Sequence, residues 1–145
     1  MSAQTITEET WSLLGFGRRK KLSSPDLISV IRNGLPARSA KTVSEALHVP
    51  IRELSAYLHV SSKTLERRLK DDRALDQDAS DRLVELAKVF ARTVEVMEDL
   101  DRARKWLFEP SLVLGNVSPV SLLDTSTGVE MVMDELGRIE HGIGI

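Results

Sequence analysis

The chain has 145 residues, 41% hydrophobic and 29% charged, with a formal net charge of −2, which suits one compact domain or two small modules sharing a core. It contains no cysteine, which excludes disulfides, thiolate nucleophiles and cysteine-based zinc sites. The first ten residues, Met-Ser-Ala-Gln-Thr-Ile-Thr-Glu-Glu-Thr, lack the basic start and apolar run of an export signal, and no stretch approaches the ~20 apolar residues of a membrane span, so the expected setting is the cytoplasm, with no membrane partner.

The near-neutral total hides a division. Residues 1–74 carry 13 Lys/Arg against 8 Asp/Glu (+5), whereas residues 75–145 carry 7 against 14 (−7). A basic half fits a phosphate surface; an acidic half is steered away from it and needs another partner.

In chain order, residues 6–16 form a short expected helix anchored by Trp11, Leu13 and Leu14 and ended by Gly15 and Gly17. Arg18-Arg19-Lys20-Lys21 reads as an exposed arm able to touch DNA backbone or minor groove. Ser24-Pro25-Asp26 supplies an N-cap, a first-turn proline and an acid at the positive helix end, starting a helix through Leu27, Ile28 and Ile31 that stops at Gly34. Pro36 prevents continuation. A further turn or two is expected from Ser39 or Thr42 through Val43, Ala46 and Leu47 to Pro50.

The stretch from Leu54 to Leu69 reads as two short helices joined by a turn. Leu54, Leu58, Val60, Leu65 and Leu69 sit where a helix-turn-helix packs its helices together, and small Ser55 sits where the backbones approach. The remaining polar positions, Ser62, Lys63, Thr64, Arg67 and Arg68, are the candidate DNA-binding residues, since entry into a major groove needs such a polar strip on the second helix. Base reading and phosphate anchoring are both open to the two arginines. His59 occupies a turn position usually held by glycine, which takes a left-handed backbone at no steric cost.

Residues 77–107 are free of Gly and Pro, and Leu83, Leu86, Ala87, Phe90, Ala91, Val94 and Met97 recur at helical offsets. Around Glu98-Asp99-Leu100-Asp101 a break is expected, then a short helix through Ala103, Trp106 and Leu107 that Glu109-Pro110 ends. Ser118-Pro119 reads as a cap pair for a short turn over residues 120–123. The last segment places Val129, Val132, Met133, Leu136 and Ile139 on one helical face and closes at Gly142. No alternating segment of strand length is present, so the fold class is all-α.

His48, His59 and His141 are far apart in sequence and have no acid or histidine partner at helical spacing, so no metal is expected. No nucleophile elbow and no phosphate-cradling glycine loop is present. The chain reads as a non-enzyme, with no catalytic residue and no cofactor.

The acidic half carries an ordered set of residues: Trp106-Leu107, Pro110, Leu114-Gly115, Pro119, Leu122-Leu123, Thr125, Gly128 and Leu136-Gly137-Arg138-Ile139-Glu140-His141-Gly142. In order and spacing this set resembles the toxin-binding domain of the Xre/MbcA/ParS antitoxin family. The resemblance extends back through the helix-turn-helix to about Leu27, some four-fifths of the chain. Asn116, where that family most often has a second glycine, and His59 depart from the pattern.

The resemblance implies an Xre-like helix-turn-helix bundle followed by a small helical toxin-binding domain, divided as an arm with a short helix (1–24), a DNA-binding domain (25–98) and a toxin-binding domain (99–145). It implies an antitoxin that represses its own operon at operator DNA and neutralises a RES-domain, NAD-consuming toxin, as a homodimer or higher assembly. A stand-alone regulator whose C-terminal half only dimerises is the alternative. The tail supplies the candidate toxin-binding residues, Arg138, Glu140, His141, Gly142, Ile143, Gly144 and Ile145: a helix stop followed by a slim extension. Glu140 and the terminal carboxylate are there to meet the cations that an NAD-handling site carries for its diphosphate. Occlusion away from the active site stays open beside this plugging.

Overall fold

The computed structural model describes residues 7–16 and 24–142, so the basic arm Arg18-Arg19-Lys20-Lys21 and the tail residues Ile143, Gly144 and Ile145 lie outside the described residues. Among these are eight α-helices, α1 (Glu8–Leu13), α2 (Ser24–Asn33), α3 (Ala37–Leu47), α4 (Ile51–Leu58), α5 (Ser62–Lys70), α6 (Gln77–Met97), α7 (Leu100–Phe108) and α8 (Ser126–His141), and no strand beyond two isolated bridges. No described helix is long and apolar enough to cross a membrane. The chain divides into two compact units between Lys88 and Val89, inside α6.

In the first unit, α3 packs on α4 and α5, α4 packs on α5, and α1 lies on α3. Trp11 and Leu14 of the α1 segment are fully buried, as expected of anchors, together with Val43, Leu47, Leu54, Leu58 and Leu65. Helix α3 begins at Ala37 with Pro36 as its cap residue, earlier than the Ser39 or Thr42 start the sequence suggests. The reason is tertiary. The segment around Pro36 bridges Ala74, with Ala37 N–H donating to the Arg73 carbonyl (2.9 Å) and Leu75 N–H to the Leu35 carbonyl (2.8 Å). Buried Ser80 Oγ accepts from Leu35 N–H at 2.9 Å, tying the start of α6 to the same segment. Gly34 is obligatory here: its φ is +89°, and a Cβ would sit 2.3 Å from the Leu75 carbonyl oxygen.

Two successive helices end by the same local device. Ser44-x-x-Leu47-His48-Val49 and Ser55-x-x-Leu58-His59-Val60 place a histidine in the left-handed region at φ 58° each time. The histidine N–H bonds back three residues and the valine N–H five, closing each helix in a Schellman arrangement. Buried Ser44 adds a hydroxyl bond to the Val49 carbonyl, and Ser55 one to the Arg52 carbonyl.

In the second unit, Glu98 turns left-handed at φ 59° and ends α6, and Asp99 caps α7 by accepting from Arg102 N–H at 2.8 Å. The expected break thus falls on the acidic cluster. Ser111 and Val117 bridge across a tight loop in which Gly115 (φ 88°) and Asn116 (φ 63°) are both left-handed. Asparagine tolerates that region better than most residues, which explains its place where the family favours glycine. A 3-10 turn, Pro119–Leu122, then packs against both α7 and α8. Ser118 precedes it but makes no side-chain cap bond, contrary to the expected cap pair; Ser121 Oγ instead donates to the Ser118 carbonyl at 2.6 Å. Thr125 caps α8 through Gly128 N–H (3.0 Å), and Gly142 closes it at φ 71°. Ala103, Leu107, Leu114, Val120, Val132 and Leu136 are the buried apolar side chains of these elements.

Candidate functional site: a recognition helix and an acidic unit

Helix α5 is aimed by its buried stripe. Leu65 is fully buried and Leu69 half-buried, so the side chains half a turn away face outward. Ser61 sets the helix start by accepting from Thr64 N–H at 3.0 Å. The five residues expected to contact DNA are divided by this orientation. Lys63 and Arg67 are exposed, one turn apart on the outward face, whereas Ser62, Thr64 and Arg68 are half-buried at its margins.

Thr64 Oγ1 accepts from the Ser61 hydroxyl (2.8 Å), and Arg68 Nη1 donates to the Ala74 carbonyl at 2.7 Å. Arg68 therefore braces the segment after α5. Lys70, exposed and one turn beyond Arg67, completes the outward cationic row, with Glu66 beside it. The i, i+4, i+7 spacing of 63, 67 and 70 is the sequence signal that finds Lys70. On α4, burial and Glu53 push the Tyr57 phenol above its ordinary value, so it stays protonated. Val60 is half-buried, and Ser55 is buried at 3% exposure, the small residue at the close approach.

The expected toxin-binding residues cluster at the end of α8, so far as they are described. Arg138 Nε donates to Glu135 Oε1 at 3.0 Å, and His141 Nε2 lies 3.9 Å from Glu140 Oε1. Glu140 takes a two-pronged bond from Arg92 of α6, Nη2 to Oε1 at 2.5 Å and Nη1 to Oε2 at 3.0 Å. That bond holds the Glu140 carboxyl below the usual glutamate range and raises the Arg92 guanidinium above its own. Sequence reasoning missed Arg92, which reads along α6 as one more solvated charge.

A second feature of this unit is apolar. Residues 110–123 hold no charged side chain in a chain that is 29% charged. Leu112 and Val113, at the tip of the Ser111 to Val117 loop, are 86% and 61% exposed. The loop is nonetheless held by its own backbone bonds, among them Ser111 N–H to the Val117 carbonyl (2.9 Å) and Asn116 N–H to the Ser111 carbonyl (2.7 Å). Phe90 of α6 is 1% exposed and belongs to the core. Among the described residues no group of three or more His, Asp or Glu side chains is placed to hold a metal ion. His48 and His59 serve as helix-ending residues instead.

Comparison with known proteins follows the same two-part division. Residues 26–88 match the antitoxin Xre-like helix-turn-helix domain, and residues 92–142 match the antitoxin Xre/MbcA/ParS C-terminal toxin-binding domain. An Antitoxin Xre of Yersinia enterocolitica is 30% identical over 140 residues, 96% of this chain and 93% of its own length. An Antitoxin Xre of Photorhabdus laumondii is 29% identical over 134 residues, 92% of this chain and 88% of that protein. A Prs ADP-ribosylating antitoxin of a Sphingobium species is 28% identical over 131 residues, 84% and 82% of the two chains. With a capped, outward-facing basic helix in one unit and an acidic unit of matching loop and helix order in the other, the chain belongs to the Xre/MbcA/ParS antitoxins of toxin–antitoxin systems.

Proposed function

We propose that this antitoxin neutralises a RES-domain, NAD-consuming toxin through residues 99–145 and represses its own operon through α5, acting in the cytoplasm as at least a dimer. The observation that carries the reading is the union of the two units in one chain, a basic helix with Lys63, Arg67 and Lys70 outward and a unit that matches the toxin-binding domain. The class of toxin rests on the family resemblance and on the name of the Sphingobium relative, since ADP-ribosylation draws its ADP-ribose group from NAD. Dimerisation rests on the small footprint of one reader, which usually binds two half-sites about one helical turn apart.

Toxin binding draws on two parts of the second unit. Exposed Leu112 and Val113 supply an apolar anchor on a chain segment without charge, the composition of an interface core. The residues from Arg138 to Ile145 supply the second part, the end of α8 and the chain after it, which blocks the toxin's NAD site. Co-expression with the neighbouring reading frame, co-purification and a growth assay test the pairing. Removing residues 142–145 from the antitoxin is expected to restore NAD consumption by the purified complex. Failure of the neighbouring product to bind, or growth unaffected by that product alone, refutes the antitoxin–RES pairing.

A further inference from the structure

Glu140 is among the residues expected to meet the toxin, yet its carboxylate is already engaged within the chain. The two Arg92 nitrogens reach its two oxygens at 2.5 and 3.0 Å, the fork geometry in which guanidinium and carboxylate match best. Arg92 Nη1 also donates to Glu95 Oε1 at 2.7 Å, one turn along α6, which steadies the guanidinium. The Arg92 and Glu140 side chains retain 27% and 35% of their exposure, so the pair is screened less than one in open solvent. The bond spans 48 residues of sequence and joins α6 to the last turn of α8. Two residues further on, Gly142 stops the helix at φ 71°. Terminal turns fray unless they are tied down, and the direction in which the chain leaves a helix follows from where its last turn is held.

We infer that Arg92 is a positioning residue for toxin neutralisation: by clamping Glu140 it fixes the last turn of α8 as far as Gly142, while Glu140 makes no toxin contact of its own. The inference rests on the reading of the C-terminal residues as the inhibitory segment. A segment whose root is already ordered loses less freedom on binding, so the clamp acts on affinity for the toxin. Arg138, paired with Glu135 one turn earlier, is left outside this arrangement.

The test uses the full-length chain, with Arg92→Ala, Glu140→Ala and the double substitution, and a chain lacking residues 142–145 with and without Arg92→Ala. Each is titrated by calorimetry against the purified RES-domain product of the neighbouring reading frame, and residual NAD consumption is measured. Both single variants and the double variant are expected to bind about fivefold more weakly, with no further loss in the double, as for two ends of one interaction. Arg92→Ala is expected to add nothing in the shortened chain, whereas a merely structural role would weaken it there too.

Parent-like binding by Arg92→Ala beside a loss in Glu140→Ala would mean that Glu140 touches the toxin directly and would overturn the inference. Additive losses in the double variant, or a further loss in the shortened chain, would overturn it as well. If the shortened chain binds and inhibits like the parent, the reading of the C-terminus itself fails, and the clamp's role with it.

Discussion

Replacing either of two glycines in α8 by alanine is expected to move stability in opposite directions. At Gly128 a Cβ would lie 1.8 Å from the Leu122 carbonyl oxygen and 2.8 Å from its carbon. At Gly137 nothing lies within 4 Å of the same atom. Alanine gains about 1 kcal/mol over glycine in a helix interior, as at Gly137, and at most that much in the first turn, where Gly128 lies. At Gly128 the 3-10 turn must retreat from the helix by more than about 1 Å, and overpacking against atoms that yield already costs about 1–3 kcal/mol. The obstacle is main chain, and Gly128 N–H is the group that Thr125 caps, so about 3 kcal/mol is the fitting figure. The net expectation is a loss of at least about 2 kcal/mol for Gly128→Ala and a gain of about 1 kcal/mol for Gly137→Ala. Urea unfolding followed by circular dichroism measures both, and toxin binding by Gly128→Ala should fall with the unfolding midpoint while operator binding persists. A Gly128→Ala chain as stable as the parent would refute the close packing of α8 on the turn.

Other expectations concern the reader, its turn, the loop and the clamp. Lys63→Ala with Arg67→Ala should weaken operator binding and flatten its log–log salt dependence by about 2 units, seen in mobility-shift titrations at several salt concentrations; Arg68→Ala should leave that slope nearly unchanged, because its guanidinium bonds to Ala74. His59→Gly should stabilise the first unit by about 0.5–1 kcal/mol, relief of left-handed strain exceeding the entropy that glycine adds to the unfolded chain; a fall in the melting temperature would contradict this.

Leu112→Asp with Val113→Asp should leave the unfolding midpoint nearly unchanged, since both are exposed, and lower toxin affinity in calorimetry by at least tenfold, about 1.4 kcal/mol. The Glu140 carboxyl should titrate below the usual glutamate range by NMR and return to it in Arg92→Ala. Because its folded value is depressed, the stabilisation it gives is complete above the unfolded value and lost as pH falls through the folded one. The clamp therefore opens on acidification, and a carboxyl titrating at the ordinary value in the parent chain would exclude it.

Much of this protein is determined locally and is therefore visible in one sequence. The helix periods, the Gly34 and Gly142 stops, the break at Glu98-Asp99 and the Leu54 to Leu69 helix pair follow from apolar spacing and capping chemistry, which act over a single turn. The order of Trp, Pro and Gly residues in the acidic half identifies the family for the same reason. Even the repeated Ser-x-x-Leu-His-Val endings are written in the chain, although their left-handed histidines become plain only in three dimensions.

What tertiary structure alone decided depends on pairs far apart in sequence. Pro36 opens α3 because Arg73 and Ala74 meet it across 37 residues or so. Arg68 faces Ala74 and leaves the outward row to Lys63, Arg67 and Lys70, since the packing of Leu65 sets the rotation of α5. Gly128 is demanded by a carbonyl from the preceding turn, and Glu140 is engaged by an arginine 48 positions earlier. A charge on a helix face reads as solvated in the sequence; only the approach of another helix decides that it has a partner.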